Sequence, residues 1–208
     1  MDNIKLVSFD LEGTLVTPDF SQAVWYEGIP SLYARQSGIN FEEARAIVVK
    51  EYQAVGDRRK EWYDIKYWFN LFRLGDYREV LEQYRDRASQ FPDVLPVLSS
   101  LGRKYRLIVA TGTAREFLPY LLDGLDGQFV GIFSSISDYG ILKSPQFYVQ
   151  LCLEMGVKPH EIIHVGDSLR FDYIAAADAG VKAFHLDRKQ ESGNGDSLRN
   201  LVELETRL

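Results

Sequence analysis

Asp10 and Glu12 stand two residues apart at the end of a short apolar run, Leu6-Val7-Ser8-Phe9, and Gly13-Thr14 follows them. Residues 4–9 are rich in apolar and β-branched side chains, which fits a buried strand of a parallel sheet. Ligands of open α/β sheets bind outside the carboxyl ends of the strands, and both acids lie at that end. Side chains alternate along an extended chain, so residues 10 and 12 share a side while the extension persists. Gly13 then permits a sharp bend. Two carboxylates at a sheet edge can meet a metal ion and a phosphate. Alone, the segment reads more simply as a strand followed by a solvated acidic turn.

Three further segments change that balance. Residues 106–110 lead into Thr111-Gly112-Thr113, where a hydroxyl and exposed backbone amides suit a phosphate oxygen. Lys143 sits in Ile141-Leu142-Lys143-Ser144-Pro145, just before a helical pattern. Val165-Gly166-Asp167-Ser168 follows, with Asp172 five residues beyond Asp167. Each piece has an ordinary reading: a turn, a solvated lysine, a helix cap. Their order, spacing and recurrence at strand ends are far more specific.

The elements that must position these residues follow from periodicity. Besides 4–9, strand-like runs occur at 106–110, 161–165 and 181–186, with a weaker one at 129–134. Helical patterns lie between them near 92–102, 114–123, 145–155 and 170–179. Strands alternating with helices predict an α/β fold with a mostly parallel, Rossmann-like sheet flanked by helices. Residues 18–90 break the rhythm. They read as helices near 20–37, 41–55, 60–74 and 76–90, punctuated by Gly38, Gly56 and Gly75. Asn40 and Asp76 are placed to cap two of them. The expected organisation is a core of 1–17 and 91–208 with an all-α insert at 18–90. All three Trp lie inside that insert, so it has the material for its own core. Residues 189–196 read as a loop. Leu198, Leu201, Leu204 and Leu208 predict a short amphipathic helix that packs on the sheet.

Composition narrows the function. A chain of 208 residues, 46% hydrophobic, supports a sizeable core. Its net charge of −6 argues against a nucleic-acid partner. No run approaches a membrane span, and the N-terminus does not read as a secretory signal. The single cysteine, Cys152, excludes an internal disulfide and lies in a helical pattern as a buried thiol. A cytoplasmic setting is expected, and a monomer and a homodimer are both open. His160, His164 and His185 form no metal-binding spacing, and the last two read as packed strand residues. Arg58-Arg59-Lys60 reads as a solvated helix start, with contact to an anionic substrate as the sharper alternative.

Taken together, the segments resemble the haloacid dehalogenase superfamily of phosphohydrolases, over the whole length of the chain. The family's opening Asp-x-Asp-Gly-Thr appears as Asp10-Leu11-Glu12-Gly13-Thr14, its strand-end hydroxyl as Thr111, its lone lysine as Lys143, and its Gly-Asp-Ser with a further acid as Gly166-Asp167-Ser168 and Asp172. The insert resembles the family's helical type 1 cap. The resemblance implies a Mg²⁺-dependent phosphatase acting on a small phosphorylated metabolite through an aspartyl-phosphate. Asp10 would be the nucleophile and Glu12 the general acid and base. Thr111, Gly112 and Lys143 would bind the transferring group. Asp10, Asp167 and the backbone carbonyl of Glu12 would hold the metal, and Asp172 would orient Lys143 or a metal-bound water. Ionised carboxylates beside a metal and a lysine imply low acidity constants for Asp10 and Asp167. Glu12 departs from the usual Asp, a swap also found in the family's enolase-phosphatases. A dehalogenase, a phosphomutase and a non-catalytic binding protein on the same fold are the alternatives. Dehalogenases of this type usually carry a bulky Tyr where Glu12 stands.

Overall fold

A computed structural model of the protein describes residues 4–125, 127–190 and 197–208. Strands β1 (Leu6–Phe9), β2 (Arg106–Thr111), β3 (Gly131–Ser134), β4 (Ile162–Gly166) and β5 (Lys182–His185) form one parallel sheet in the order β3-β2-β1-β4-β5. The chain builds outward from β1 to β3, then crosses to β4 on the other side. The junction of β1 and β4 is therefore the point where strand order reverses, the usual place for a ligand crevice. Phe9 is level with Val109 of β2 and Val165 of β4. Asp10, Thr111 and Asp167 thus leave the sheet at the same edge.

Both faces of β1 are buried, which explains why its residues are almost uniformly apolar. Val7 and Phe9 join Leu107, Val109, Ile163 and Val165 on one face. Leu6 joins Ile108, Ala110, Ile162, Tyr148 and Leu151 on the other. Ser8 and His164 alternate onto that second face, and both are fully buried.

The segment between β1 and β2 is helical. Helix α1 (Asp19–Ala23) runs through a π-helical stretch, Val24–Gly28, into α2 (Ile29–Ser37). Helix α3 (Phe41–Val55) is capped by Asn40, whose side chain accepts the Glu43 N–H at 3.0 Å. Two predicted helices are shorter than their patterns. Asp64 caps α4 (Ile65–Leu71) through the Lys66 N–H, which separates it from a 3₁₀ turn at Lys60–Tyr63. Helix α5 (Tyr77–Tyr84), capped by Asp76, ends before Gln90 makes an antiparallel bridge to Val16. The aromatic residues here do not form a separate core. Trp68 is stacked with Phe72 and edge-on to Tyr52, but Phe20 and Trp25 both pack on Phe117, which follows β2. One continuous apolar cluster joins the insert to the sheet.

The remaining helices are α6 (Val94–Leu101), α7 (Leu118–Leu121), α8 (Ser135–Tyr139), α9 (Pro145–Met155), α10 (Ala175–Asp178) and α11 (Val202–Glu205). Helix α8 has no counterpart in the periodicity reading. It starts on a Ser134 cap and stops at Gly140 with φ +66. The C-terminal amphipathic helix is only the single turn of α11. Leu198 bridges Leu186 instead, while Leu198, Leu201 and Leu204 are buried against the sheet as expected. Of the loop at 189–196, residues 191–196 lie outside the described part. Cys152 is buried, and burial pushes its thiol up to about 11. Among the described residues no helix is long and apolar enough to cross a membrane.

Trp68 is fully buried and touches rings on three sides. Trp68→Ala is expected to destabilise the protein by about 3–5 kcal/mol in denaturant unfolding. A loss below about 1 kcal/mol would show that the insert contributes little to the common core.

Candidate active site

Asp10, at the exit of β1, is 7% exposed, and Lys143, just ahead of α9, is 6% exposed. Lys143 Nζ donates to Asp10 Oδ1 at 2.7 Å and to the Ala110 carbonyl at 3.2 Å, and it is paired with Asp172 Oδ1. A lysine buried to this depth is stable as an ammonium only with such partners. Burial pulls its acidity constant down, but Asp10 and Asp172 more than offset that, and the net shift is upward.

Asp172 has every oxygen engaged. Oδ1 meets Lys143 and His164 Nε2 (3.1 Å), and Oδ2 accepts the Ser168 N–H at 2.9 Å. Burial opposes its charge, yet Lys143 and His164 hold its acidity constant well below the usual carboxylate range. Burial lowers the acidity constant of His164 against the opposing pull of Asp172, which favours the neutral ring. An ionised Asp172 only accepts, so His164 Nε2 carries the proton and Nδ1 accepts from Ser8 Oγ at 2.9 Å. His185 holds the backbone of the neighbouring acid rather than its carboxylate. Its Nε2 lies 3.0 Å from the Asp167 carbonyl, and its Nδ1 is 3.0 Å from Ser197 Oγ. Both histidines are packed in strands, as their sequence context suggests, but each also fixes an acidic segment.

Oxygens of Asp10, Asp167 and Asp172 lie within 4.8 Å of one another. Asp167 is the exposed member. In the protein alone, Asp10 is raised chiefly by burial. The Asp167 carboxyl is pushed up to about 8, by enclosure first and then by the charges of Asp10 and Asp172. Its outward side is open to solvent, so the repulsion by two close carboxylates is the firmer cause. The low acidity constants expected from sequence belong to the metal-bound site, and without the ion both shifts run upward. The reason is charge balance: three carboxylates share one ammonium. A divalent cation would restore the balance, and hard carboxylate oxygens are the donors Mg²⁺ takes. The residues present fit such an ion.

Two glycines make this crowding possible. Gly13 has φ +77, and a Cβ there would fall on the Asp167 carboxylate. A Cβ at Gly166 would fall on the carboxylate of Asp172. Each spacing thus admits one residue type for a steric reason.

The side chain of Glu12 turns away from the acidic trio. Thr113 Oγ1 donates to its Oε2 at 2.6 Å, and Ser21 Oγ of α1 donates to its Oε1. Burial raises its acidity constant against those two bonds. Thr111, at the end of β2, is buried, and its Oγ1 both accepts the Thr113 N–H and donates to Thr113 Oγ1, each at 3.1 Å. Gly112 stands in the open, with nothing within 4 Å of where a Cβ would be. Ser21 and Thr113 are partners of Glu12 that sequence reasoning missed. Thr113 lay beside a residue already singled out, whereas Ser21 sits in a helix pattern with no local signal.

These groups form one end of a cavity of about 470 Å³. Asp10, Glu12, Thr111, Gly112 and Lys143 line it; Trp25, Tyr26, Tyr52, Trp62, Tyr63 and Phe171 form much of the rest. Arg58, Arg59 and Lys60 do not line it, and Arg59 is paired with Glu61 at 3.2 Å. The anionic-substrate reading of that cluster has no support in the geometry.

A family model described as haloacid dehalogenase-like hydrolase matches residues 4–180. A phosphoglycolate phosphatase of Aliivibrio fischeri is 29% identical over 198 residues, covering 89% of this chain and 85% of that protein. A GMP/IMP nucleotidase of Escherichia coli is 24% identical over 184 residues, covering 86% and 81%. Among solved structures, a HAD phosphatase from Thermococcus onnurineus superposes with a TM-score of 0.86 at 28% identity, covering 98% of this chain and 97% of that one.

Gly166→Ala is expected to expel Asp172 from its partners and to cost about 3 kcal/mol or more in denaturant unfolding. Gly112→Ala is expected to stay within about 1 kcal/mol of the parent. Equal effects of the two would mean that close approach to Asp172 is not what Gly166 provides.

Proposed function

The chain belongs to the haloacid dehalogenase-like hydrolases, and from that premise we propose that it is a phosphatase that hydrolyses a small-molecule phosphate monoester through a phosphorylated Asp10. The observation that carries this reading is the convergence of Asp10, Asp167 and Asp172 with Lys143 at the switch point of the sheet. Residues 18–90 act as a cap over a core of 1–17 and 91–208. The free, buried Cys152 is consistent with a cytoplasmic setting.

The uncatalysed reaction is slow because the phosphate dianion repels an anionic nucleophile and the alkoxide leaves poorly. Mg²⁺, held by Asp10, Asp167 and the Glu12 carbonyl, would neutralise the dianion. Asp10 supplies the nucleophile. Lys143 engages only its Oδ1 in the contacts described above and balances charge as it spreads over the phosphoryl oxygens. Thr111 and the Gly112 segment bind that group. Asp172 fixes Lys143 from behind, and His164 and Ser8 fix Asp172 in turn.

A carboxylate oxygen of Asp10 bonds to phosphorus as the bond from phosphorus to the leaving oxygen breaks. Glu12 gives that oxygen its proton, and the alcohol departs. Glu12 then takes a proton from water, and the water oxygen attacks phosphorus. The aspartyl–phosphorus bond breaks, inorganic phosphate leaves, and Asp10 is regenerated. Burial favours a protonated Glu12 at the start, and the hydroxyls of Ser21 and Thr113 aim it. Ser21 belongs to the cap and Thr113 to the core, so Glu12 is aligned only while the two are together.

With p-nitrophenyl phosphate and Mg²⁺, Asp10→Asn is expected to abolish turnover, and Glu12→Gln to lower kcat by about 10²–10⁴-fold. The reverse ranking would mean that the roles are misassigned. Chelation with EDTA is expected to remove activity and added Mg²⁺ to restore it; turnover untouched by the chelator would exclude the metal from the reaction.

A further inference from the structure

The part of the cavity beyond the acids has a largely apolar lining. Rings dominate it. Trp25, Tyr26, Trp62, Tyr63 and Phe171 all keep some exposure along the cavity. Phe117 stacks on Trp25 with centroids 5.4 Å apart, and Phe171 meets Tyr63 edge-on at 6.4 Å. Tyr52 donates its hydroxyl to the Trp25 carbonyl at 3.0 Å and meets Trp62 edge-on. The rings therefore brace one another rather than being loose side chains.

Charge points the same way. Among the described residues that line the cavity, Lys143 is the one cation, and Asp10 and Asp172 already engage it. The guanidinium of Arg170 lies over the Phe171 ring and faces Asp57, outside the lining. Within the lining itself, a second anionic group on the leaving portion would have no unengaged cation to meet and would lose its hydration on entering. Neutral polar side chains of the lining include Gln22, Tyr26, Ser135 and Ser168. Ser135 Oγ is fully buried without a hydrogen-bond partner among the described residues, although its residue lines the cavity. A cavity of about 470 Å³ is far larger than a two-carbon acid needs and is within the range that holds a drug-sized ligand.

We infer that the preferred leaving portion is uncharged and carries a flat ring system, as in a nucleoside 5′-monophosphate, with the ring stacked against the aromatic wall that includes Trp25 and Trp62. This inference rests on the phosphatase reading above and adds the substrate class to it. Stacking on aromatic side chains tolerates many rings, so the wall selects for a planar, neutral body rather than for one base. In the reaction the phosphorus–oxygen bond to the 5′ oxygen breaks, water supplies the replacing oxygen, and nucleoside and inorganic phosphate are released.

The test compares kcat/KM for inosine 5′-monophosphate, ribose 5-phosphate and 2-phosphoglycolate, using the full chain with Mg²⁺. Ribose 5-phosphate is the ring-deleted control, and 2-phosphoglycolate adds the second anion. The nucleotide is expected to exceed both by roughly tenfold or more. Trp62→Ala is expected to erase most of that advantage by raising KM for the nucleotide, while Trp62→Phe retains it. Equal or greater kcat/KM for either small ester, or an equal loss on all three in Trp62→Ala, overturns the inference. If all three esters are inert while p-nitrophenyl phosphate is hydrolysed, the inference falls and the phosphatase reading stands. If p-nitrophenyl phosphate is inert as well, both fall.

Discussion

A single buried ammonium organises this molecule's working edge. Lys143 lies between Asp10 and Asp172, almost out of reach of water. An ion in that position is tolerable only if its partners are held as firmly as it is. The surrounding structure provides for this. Asp172 is gripped by His164 and the Ser168 amide, and His164 is oriented by Ser8 from the central strand. Gly166 leaves the space in which Asp172 lies, and Gly13 does the same for Asp167. The parallel sheet sets the ends of β1, β2 and β4 level, so acids far apart in the chain arrive at one point. Three carboxylates around one ammonium leave an excess of negative charge there, which gives the site its demand for a cation.

The helical segment between β1 and β2 completes that edge. It shares its apolar core with the sheet through Phe20, Trp25 and Phe117. Its Ser21 reaches the carboxylate of Glu12, which the core approaches from the other side through Thr113. The acid proposed to move protons thus takes its alignment from both parts. The same segment supplies most of the rings that line the cavity. In the proposed reaction chemistry and selection are therefore separated: strand ends would carry the reacting groups, and helices of the insert would shape the space for whatever is attached to the phosphate.

Much of this was legible in the sequence because strand-end chemistry is local. The exits of β1, β2 and β4 carry Asp10, Thr111 and Asp167 directly after apolar runs, and periodicity located α3 and α9 to the residue. What escaped depends on long-range packing. Ser8 and His164 meet across 156 residues, and Ser21 reaches Glu12 only because α1 folds back over the strand end, so no local pattern marks them. The C-terminal leucines show the converse error. Their spacing suggests a helix, yet Leu198 pairs with Leu186 beside β5 and only one helical turn follows. Burial was readable there, but the backbone path was not. The upward shifts of Asp10 and Asp167 in the metal-free protein were not legible for a related reason. They depend on how many carboxylates share one ammonium, which is a property of the assembled site.

The central claim is that Asp10 bonds covalently to phosphorus during turnover. The most direct measurement is a rapid quench of the enzyme mixed with a turned-over phosphate ester, followed by borohydride reduction and peptide mass mapping. Reduction of an acyl phosphate at position 10 converts that aspartate to homoserine, and the account predicts this product at Asp10, dependent on substrate. Turnover with an unmodified Asp10 and a reduced acyl group at any other carboxylate would contradict it.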